Sequence, residues 1–197
     1  MSRTGLLIVV LASCSSDTSI SGPDAGSTQA ALVARGKYLV DITGCSDCHT
    51  PWMVTPGGPA ALGGRLPDET RAFAGHPADQ AMGPLPTVSA PGKWTVNVRA
   101  PDYTAWAGSF GIAYTANLTP DPATGWLEGW TDADFIKVIR TGKAHDGTRD
   151  VVGTMMRVCL RMAKATDDDL KAVFAYLRSL APVPNDVPAY DPPDAGH

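Results

Sequence analysis

The most constraining feature of the chain is a cysteine pair. Cys45 and Cys48 are separated by two residues and His49 follows directly, giving the pattern Cys-x-x-Cys-His. Only 4 of the 197 residues are cysteines. Two of them one helical turn apart, with an imidazole beside them, restrict what the surrounding chain can become. Three chemistries use such a pair: a redox disulfide, half of a zinc site, or covalent attachment of a haem.

The rest of the chain separates these. A structural zinc site needs four ligands, normally from a second pair at matching spacing. The remaining cysteines, Cys14 and Cys159, are both unpaired. A thioredoxin-like dithiol follows a strand and opens a helix, whereas this motif follows a helical pattern and opens into loops. A structural disulfide leaves His49 without a role. Haem attachment uses all three residues. The thiols of Cys45 and Cys48 add across the two vinyl groups of one haem c, and His49, lying next to the iron, coordinates it through its neutral imidazole.

The chain is long enough for one domain with its own core. A net charge of −4 gives no basic stripe, so no nucleic-acid partner is expected. The 20 glycines and 17 prolines exceed ordinary usage and predict much irregular chain. Arg3 precedes the apolar run Leu6 to Ala12. That run is far below the roughly 20 residues a bilayer requires, so residues 1–13 read as an export signal. Leu11-Ala12-Ser13-Cys14 resembles the lipobox of bacterial lipoproteins, which makes Cys14 a lipidated first residue. The alternative is ordinary cleavage near Ala12 or Ser13. Residues 14–28 are polar and read as a flexible tether. The expected location is the periplasm, at the membrane through the lipid.

Residues 28–42 carry a helical pattern, with Leu32, Leu39 and Val40 on one side and Ala31, Ala34 and Tyr38 on a neighbouring one. Gly44 follows as a C-cap glycine. Residues 50–115 have no helical period, and a strand pair is expected around 93–101. Thr131 caps a helix bearing Phe135, Val138 and Ile139, closed by Gly142. Residues 146–156 read as a loop, with a short helical turn after it. Thr166 caps the strongest helix, with three aspartates at its positive end and Leu170, Val173, Phe174 and Leu177 as its buried stripe. Residues 186–197 form a proline-rich, extended tail. Cys159 is expected to be a buried small hydrophobe, and His76, His145 and His197 to be solvated.

On the segment Ala34–Trp52, with its helix and haem motif, the chain resembles the mono-haem class I c-type cytochromes, over about residues 29–185. Residues 108–143 resemble a subgroup found with membrane-associated periplasmic dehydrogenases. The shared pattern is Asn117-Leu-Thr-Pro-Asp121, then Thr124-Gly125, then Trp130-Thr131 before a helix. The resemblance implies an all-α fold, with crossed first and last helices meeting at Gly36 near Tyr176 and Leu177. A long loop-rich insertion would follow the haem motif. It implies that Asn117, Thr119 and Pro120 lie beside the haem edge, with Asn and Thr bonding a propionate or the axial sulfur, and that Trp130 belongs to the pocket. Trp52, Trp94, Trp106 and Trp126 would cover the long loop. The subgroup's Pro-Pro-Met-Pro is replaced here by Gly153-Thr-Met-Met156. Alignment of residues 147–156 with the family's ligand loop places the axial thioether on Met155, with Met156 as the alternative and His76, His145 or no sixth ligand as the other reading.

With histidine and thioether on the iron, no position is open to substrate, and the chain reads as an electron carrier without catalytic residues of its own. The expected partners are a periplasmic dehydrogenase and a respiratory oxidase or quinol-oxidising complex. The rival readings are a haem enzyme or gas-binding sensor with an open distal site, and a thiol–disulfide protein using Cys45 and Cys48.

Overall fold

The computed structural model describes residues 25–80, 82–84 and 97–193. The export signal, Cys14, Trp94, His197 and most of the tether lie outside them. Among the described residues five helices form: α1 (Ala25–Thr43), α2 (Cys45–His49), α3 (Asp132–Thr141), α4 (Gly153–Met162) and α5 (Asp167–Arg178). Five short strands accompany them: β1 (Trp52–Val54), β2 (Arg65–Pro67), β3 (Val98–Arg99), β4 (Ala105–Gly108) and β5 (Gly111–Tyr114).

Where the sequence carries caps, the helices form as their patterns require. Thr131 and Asp134 make a reciprocal capping box at the start of α3, and Gly142 ends the helix in the left-handed region. The Thr166 hydroxyl accepts from the Asp169 amide at the start of α5. The stripe of α5 (Leu170, Val173, Phe174 and Leu177) is buried, and Phe174 stacks on Phe135 of α3. Helix α1 lies against α5 as the resemblance implies. Gly36 sits under the Ala172 carbonyl and the Tyr176 side chain, with no room for a Cβ. Val40, one turn on, is fully buried, while Tyr38 and Ile42 point to solvent.

The all-α expectation is corrected by the segment after α2. It holds two small antiparallel sheets, β1–β2 and β3–β4–β5. Their strands are two to four residues long, too short for alternation to register in the sequence. The strand expected near 93–101 is β3, but its partners lie further along, with Val98 facing Ala107 and Ala107 facing Ile112. The segment around Met155 is also corrected. Residues 153–156 are the first turn of the ten-residue helix α4, not a loop. Gly153 has φ 62°, which a proline, held near −65°, cannot adopt. The missing proline is therefore part of how this helix begins. The residues after α5 are extended, as expected, but they pair: Asp191 exchanges backbone hydrogen bonds with Ile112 at 2.8 and 3.0 Å.

Gly36→Ala is expected to push α1 off α5 and cost on the order of 1–3 kcal/mol, the usual penalty for overpacking. Urea denaturation of the two proteins reads this as a lower midpoint at unchanged slope.

Candidate functional site

The chain between α1 and α2 is short, so the thiols of α2 are placed by the helix before it. Gly44 takes φ 69° and its amide bonds the Val40 carbonyl at 3.1 Å, turning the chain directly into Cys45. Outside α2, the Trp52 indole donates to the Asp47 carbonyl at 3.0 Å. Its ring stacks on Tyr103 at 4.8 Å, and the Arg99 guanidinium lies 3.5 Å from the Tyr103 ring centroid. Trp52 thus braces α2 as well as packing on Tyr103 of the long loop.

Cys45, Cys48 and His49 all line one cavity of about 520 Å³, within the range of small-molecule and cofactor sites. Burial pushes both thiols above their ordinary value, which disfavours the thiolate that a redox dithiol needs. His49 is buried, and burial holds its imidazole below the ordinary value, toward the neutral form. Its Nδ1 lies 2.8 Å from the Ala116 carbonyl, which can only accept. The proton therefore sits on Nδ1, and Nε2 keeps its lone pair for a metal.

Leu127, Trp130, Phe135, Val138, Ile139, Met155, Met162, Val173 and Leu177 are its apolar lining on the side of α3, α4 and α5. Met156 does not belong to it. Its sulfur packs over Gly142 at the end of α3, while Met155, on a different side of α4, reaches the cavity. Trp130 stacks on His145 at 4.4 Å and meets Trp126 at 4.8 Å. Trp126 and Trp106 also line the cavity, a role different from the loop cover expected of them.

Two of the expected haem-edge residues stand elsewhere. Asn117 lines the cavity, but Thr119 and Pro120 are not among the lining residues. The Asn117 amide is saturated by protein. Its Oδ1 accepts from the Thr119 amide and hydroxyl at 3.0 and 2.7 Å. Its Nδ2 donates to Thr124 Oγ1 at 3.1 Å and to the Val183 carbonyl at 2.9 Å. That uses both donors and both acceptor sites of an amide, leaving none for a propionate. The Thr119 hydroxyl in turn accepts from the Val183 amide at 3.1 Å. These bonds hold the wall from behind.

Neither alternative histidine lines the cavity. His76 corrects the expectation of a solvated ring: it is fully buried, with Nδ1 2.8 Å from Thr104 Oγ1 and Nε2 2.7 Å from the Gln80 carbonyl. Both of its nitrogens are engaged. His145 is part-exposed beside Asp134. Cys159 is buried as expected, and burial pushes its thiol up to about 11. The lining also contains Arg149 and the tail residues Asp186, Val187, Pro188, Ala189 and Tyr190. No motif marks these; the bonds of Asn185 at one end and the pairing of Asp191 with β5 at the other bring the tail there.

A haem c fits this donor set. Two thiols, a neutral imidazole and a thioether face one mainly apolar cavity, and the imidazole is already held in the ligating tautomer.

No protein-family model matches the chain. Over 170 residues it is 28% identical to a nicotinate dehydrogenase subunit of Pseudomonas putida, covering 86% of this chain and 10% of that protein. Over 146 residues it is 27% identical to the cytochrome c subunit of alcohol dehydrogenase (quinone) of Gluconobacter oxydans, covering 74% of this chain and 21% of that subunit. The chain thus spans a tenth to a fifth of the length of these curated relatives.

The loop behind the cavity wall is acid-sensitive at Asp121. The Thr124 hydroxyl, first, and the Thr124 and Ala123 amides hold its carboxyl below the ordinary value of 3.8. A carboxyl lowered on folding stabilises the fold fully above its unfolded value, and that stability is lost as pH falls through the lower folded value. The contribution of Asp121 to stability against urea is therefore expected to be flat above about pH 5 and to fall below it. Asp121→Asn should be less stable at neutral pH and show a shallower acid slope. The chain's distant relatives are thus subunits of dehydrogenases, one of them a cytochrome c subunit.

Proposed function

We propose that the chain is a periplasmic electron-transfer protein carrying one haem c, attached through Cys45 and Cys48 and ligated by His49 and Met155. The observation that carries this reading is that these four residues, from two helices more than a hundred positions apart, line the same cavity. The bound group supplies a one-electron Fe(III)/Fe(II) couple, whose potential the thioether raises. The protein does the rest. Ala116 fixes the His49 tautomer. The apolar faces of α3, α4 and α5 exclude water. The Asn117–Thr119–Thr124 bonds keep the wall rigid, so that little reorganises on electron gain or loss. The dehydrogenase relatives support a dehydrogenase as electron donor. A respiratory oxidase or quinol-oxidising complex is the acceptor in this reading.

The absorption spectrum of the purified exported protein tests it. A covalent, six-coordinate haem inert to carbon monoxide is expected. A five-coordinate haem that binds carbon monoxide would favour a gas-binding or enzymatic role, and a haem-free folded protein a thiol role. Cys45→Ser with Cys48→Ser is expected to abolish covalent haem. Met155→Ala should remove the weak long-wavelength sulfur-to-iron band and lower the potential. Met156→Ala should keep the band, because its sulfur lies over Gly142. The reverse pattern would make Met156 the ligand.

The membrane attachment is part of the same proposal. Among the described residues no helix is long and apolar enough to cross a membrane. Lipid on Cys14, with a tether of about a dozen residues and a reach on the order of 20 Å, would hold the domain near its partners. Cys14→Ser should move the protein from the membrane fraction to the soluble one with no change in spectrum; a wild-type protein already wholly soluble would rule the anchor out.

A further inference from the structure

The mouth of the cavity contains a charged device that the haem motif does not explain. Among the described residues that line it, Arg149 is the only lysine or arginine and Asp186 the only carboxylate. The Arg149 guanidinium lies 4.9 Å from the ring centroid of Tyr190, also a lining residue, and its Nη1 donates to the Asp150 carbonyl at 3.3 Å. The neighbouring carboxylate of Asp150 is taken by Lys143 at 2.6 Å. Asp146 takes its bonds from Thr148, and the Arg149 charge acts on it only as a smaller effect. Among the described residues no carboxylate lies within ion-pair distance of Arg149. Its charge is oriented by an aromatic face and a carbonyl, and its side chain is exposed to solvent where it lines the cavity.

Tyr190 is itself held. Its hydroxyl donates to the Phe110 carbonyl, and the next residue, Asp191, pairs with Ile112. At the other end of the same segment the Asn185 amide donates to Thr124 Oγ1 at 2.9 Å, and its Nδ2 to the Ala74 and His76 carbonyls at 2.7 and 2.8 Å. Residues 186–190 are therefore a strap pinned at both ends along the cavity wall, with Tyr190 positioning Arg149.

We propose that Arg149, positioned by Tyr190 of the strap, is the counter-charge for a carboxylate of the group the cavity takes, and that Arg149 and Asp186 together set which way round that group's carboxylate edge lies. The proposal rests on the haem reading, since a haem carries two propionates and an apolar cavity offers an ionised carboxylate nothing to replace its water. A carboxylate is favoured beside Arg149, where a charge-assisted bond forms, and disfavoured beside Asp186. Arg149 lines the same cavity as His49 and Met155, and its positive charge there would disfavour Fe(III).

The test is the midpoint potential of the haem-loaded full chain by spectroelectrochemistry. For Arg149→Gln the Fe(III)/Fe(II) ratio at fixed applied potential is expected to rise about tenfold, equivalent to a drop of about 59 mV for a one-electron couple. Arg149→Lys, which keeps the charge, should recover most of the difference. Tyr190→Ala should shift the potential in the same direction as Arg149→Gln, and Tyr190→Phe, which keeps the ring and loses only its bond to the Phe110 carbonyl, should shift it less. Should Arg149→Gln not accumulate in loaded form, Arg149→Lys and Tyr190→Ala decide. A loaded Arg149→Gln protein with wild-type potential, or a Tyr190→Ala protein with no shift, overturns the inference and leaves the haem reading standing. A wild-type chain without a c-type spectrum overturns both.

Discussion

The amide of Asn117 ties together parts of the chain that share no secondary structure. Through Thr119 and Thr124 it closes the loop after β5, and through the Val183 carbonyl it fastens the residues that follow α5. Asn185, two positions on from Val183, extends the same bonds to the backbone at Ala74 and His76. An amide with every site used is costly to disturb, because removing any one partner leaves a buried polar atom unmet. The loop, the tail and the segment behind α2 are thus fixed relative to one another by side-chain bonds to backbone. The Ala116 carbonyl that orients His49 belongs to the residue before this node, so the imidazole inherits its rigidity.

The helices illustrate what is legible in sequence. Helices α3 and α5 begin at Thr131 and Thr166 and have their acids in the first turn and a clean apolar stripe. Local chemistry and tertiary packing agree, and the expected buried residues are the buried ones. Helix α4 lacks these signals. Val152 makes no side-chain cap, and Gly153 enters with positive φ, so nothing in Gly153-Thr-Met-Met156 announces a helix. The β strands are hidden for another reason: pairs of two to four residues are selected by their partners, not by their own periodicity.

At the site, Cys45, Cys48 and His49 are readable because the chemistry is contiguous in the chain. Asn117, Trp130 and Met155 rest on a resemblance and do line the cavity. The same resemblance puts Thr119 and Pro120 too close, since a sequence cannot distinguish a residue that touches a ligand from one that braces its neighbour. His76 reads as an ordinary surface histidine because its partners, Thr104 and the Gln80 carbonyl, are brought to it by a backbone path that leaves no pattern. Trp106 and Tyr190 reach the cavity through the pairing of β3, β4, β5 and the tail, and Arg149 through the bridge of Lys143 with Asp150 that closes its own loop.

The tail has a consequence for how the molecule is made. Asp191 pairs with Ile112, nearly eighty positions earlier, and helix α5 must dock on α1 across a still longer separation. Such contacts form late, because the entropy of closing long loops must be met before they contribute. A chain delivered N-terminus first presents its two thiols and His49 long before the strap emerges. Until residues 186–190 emerge and pair, the cavity lacks the wall they supply, and Cys45 and Cys48 are open on that side.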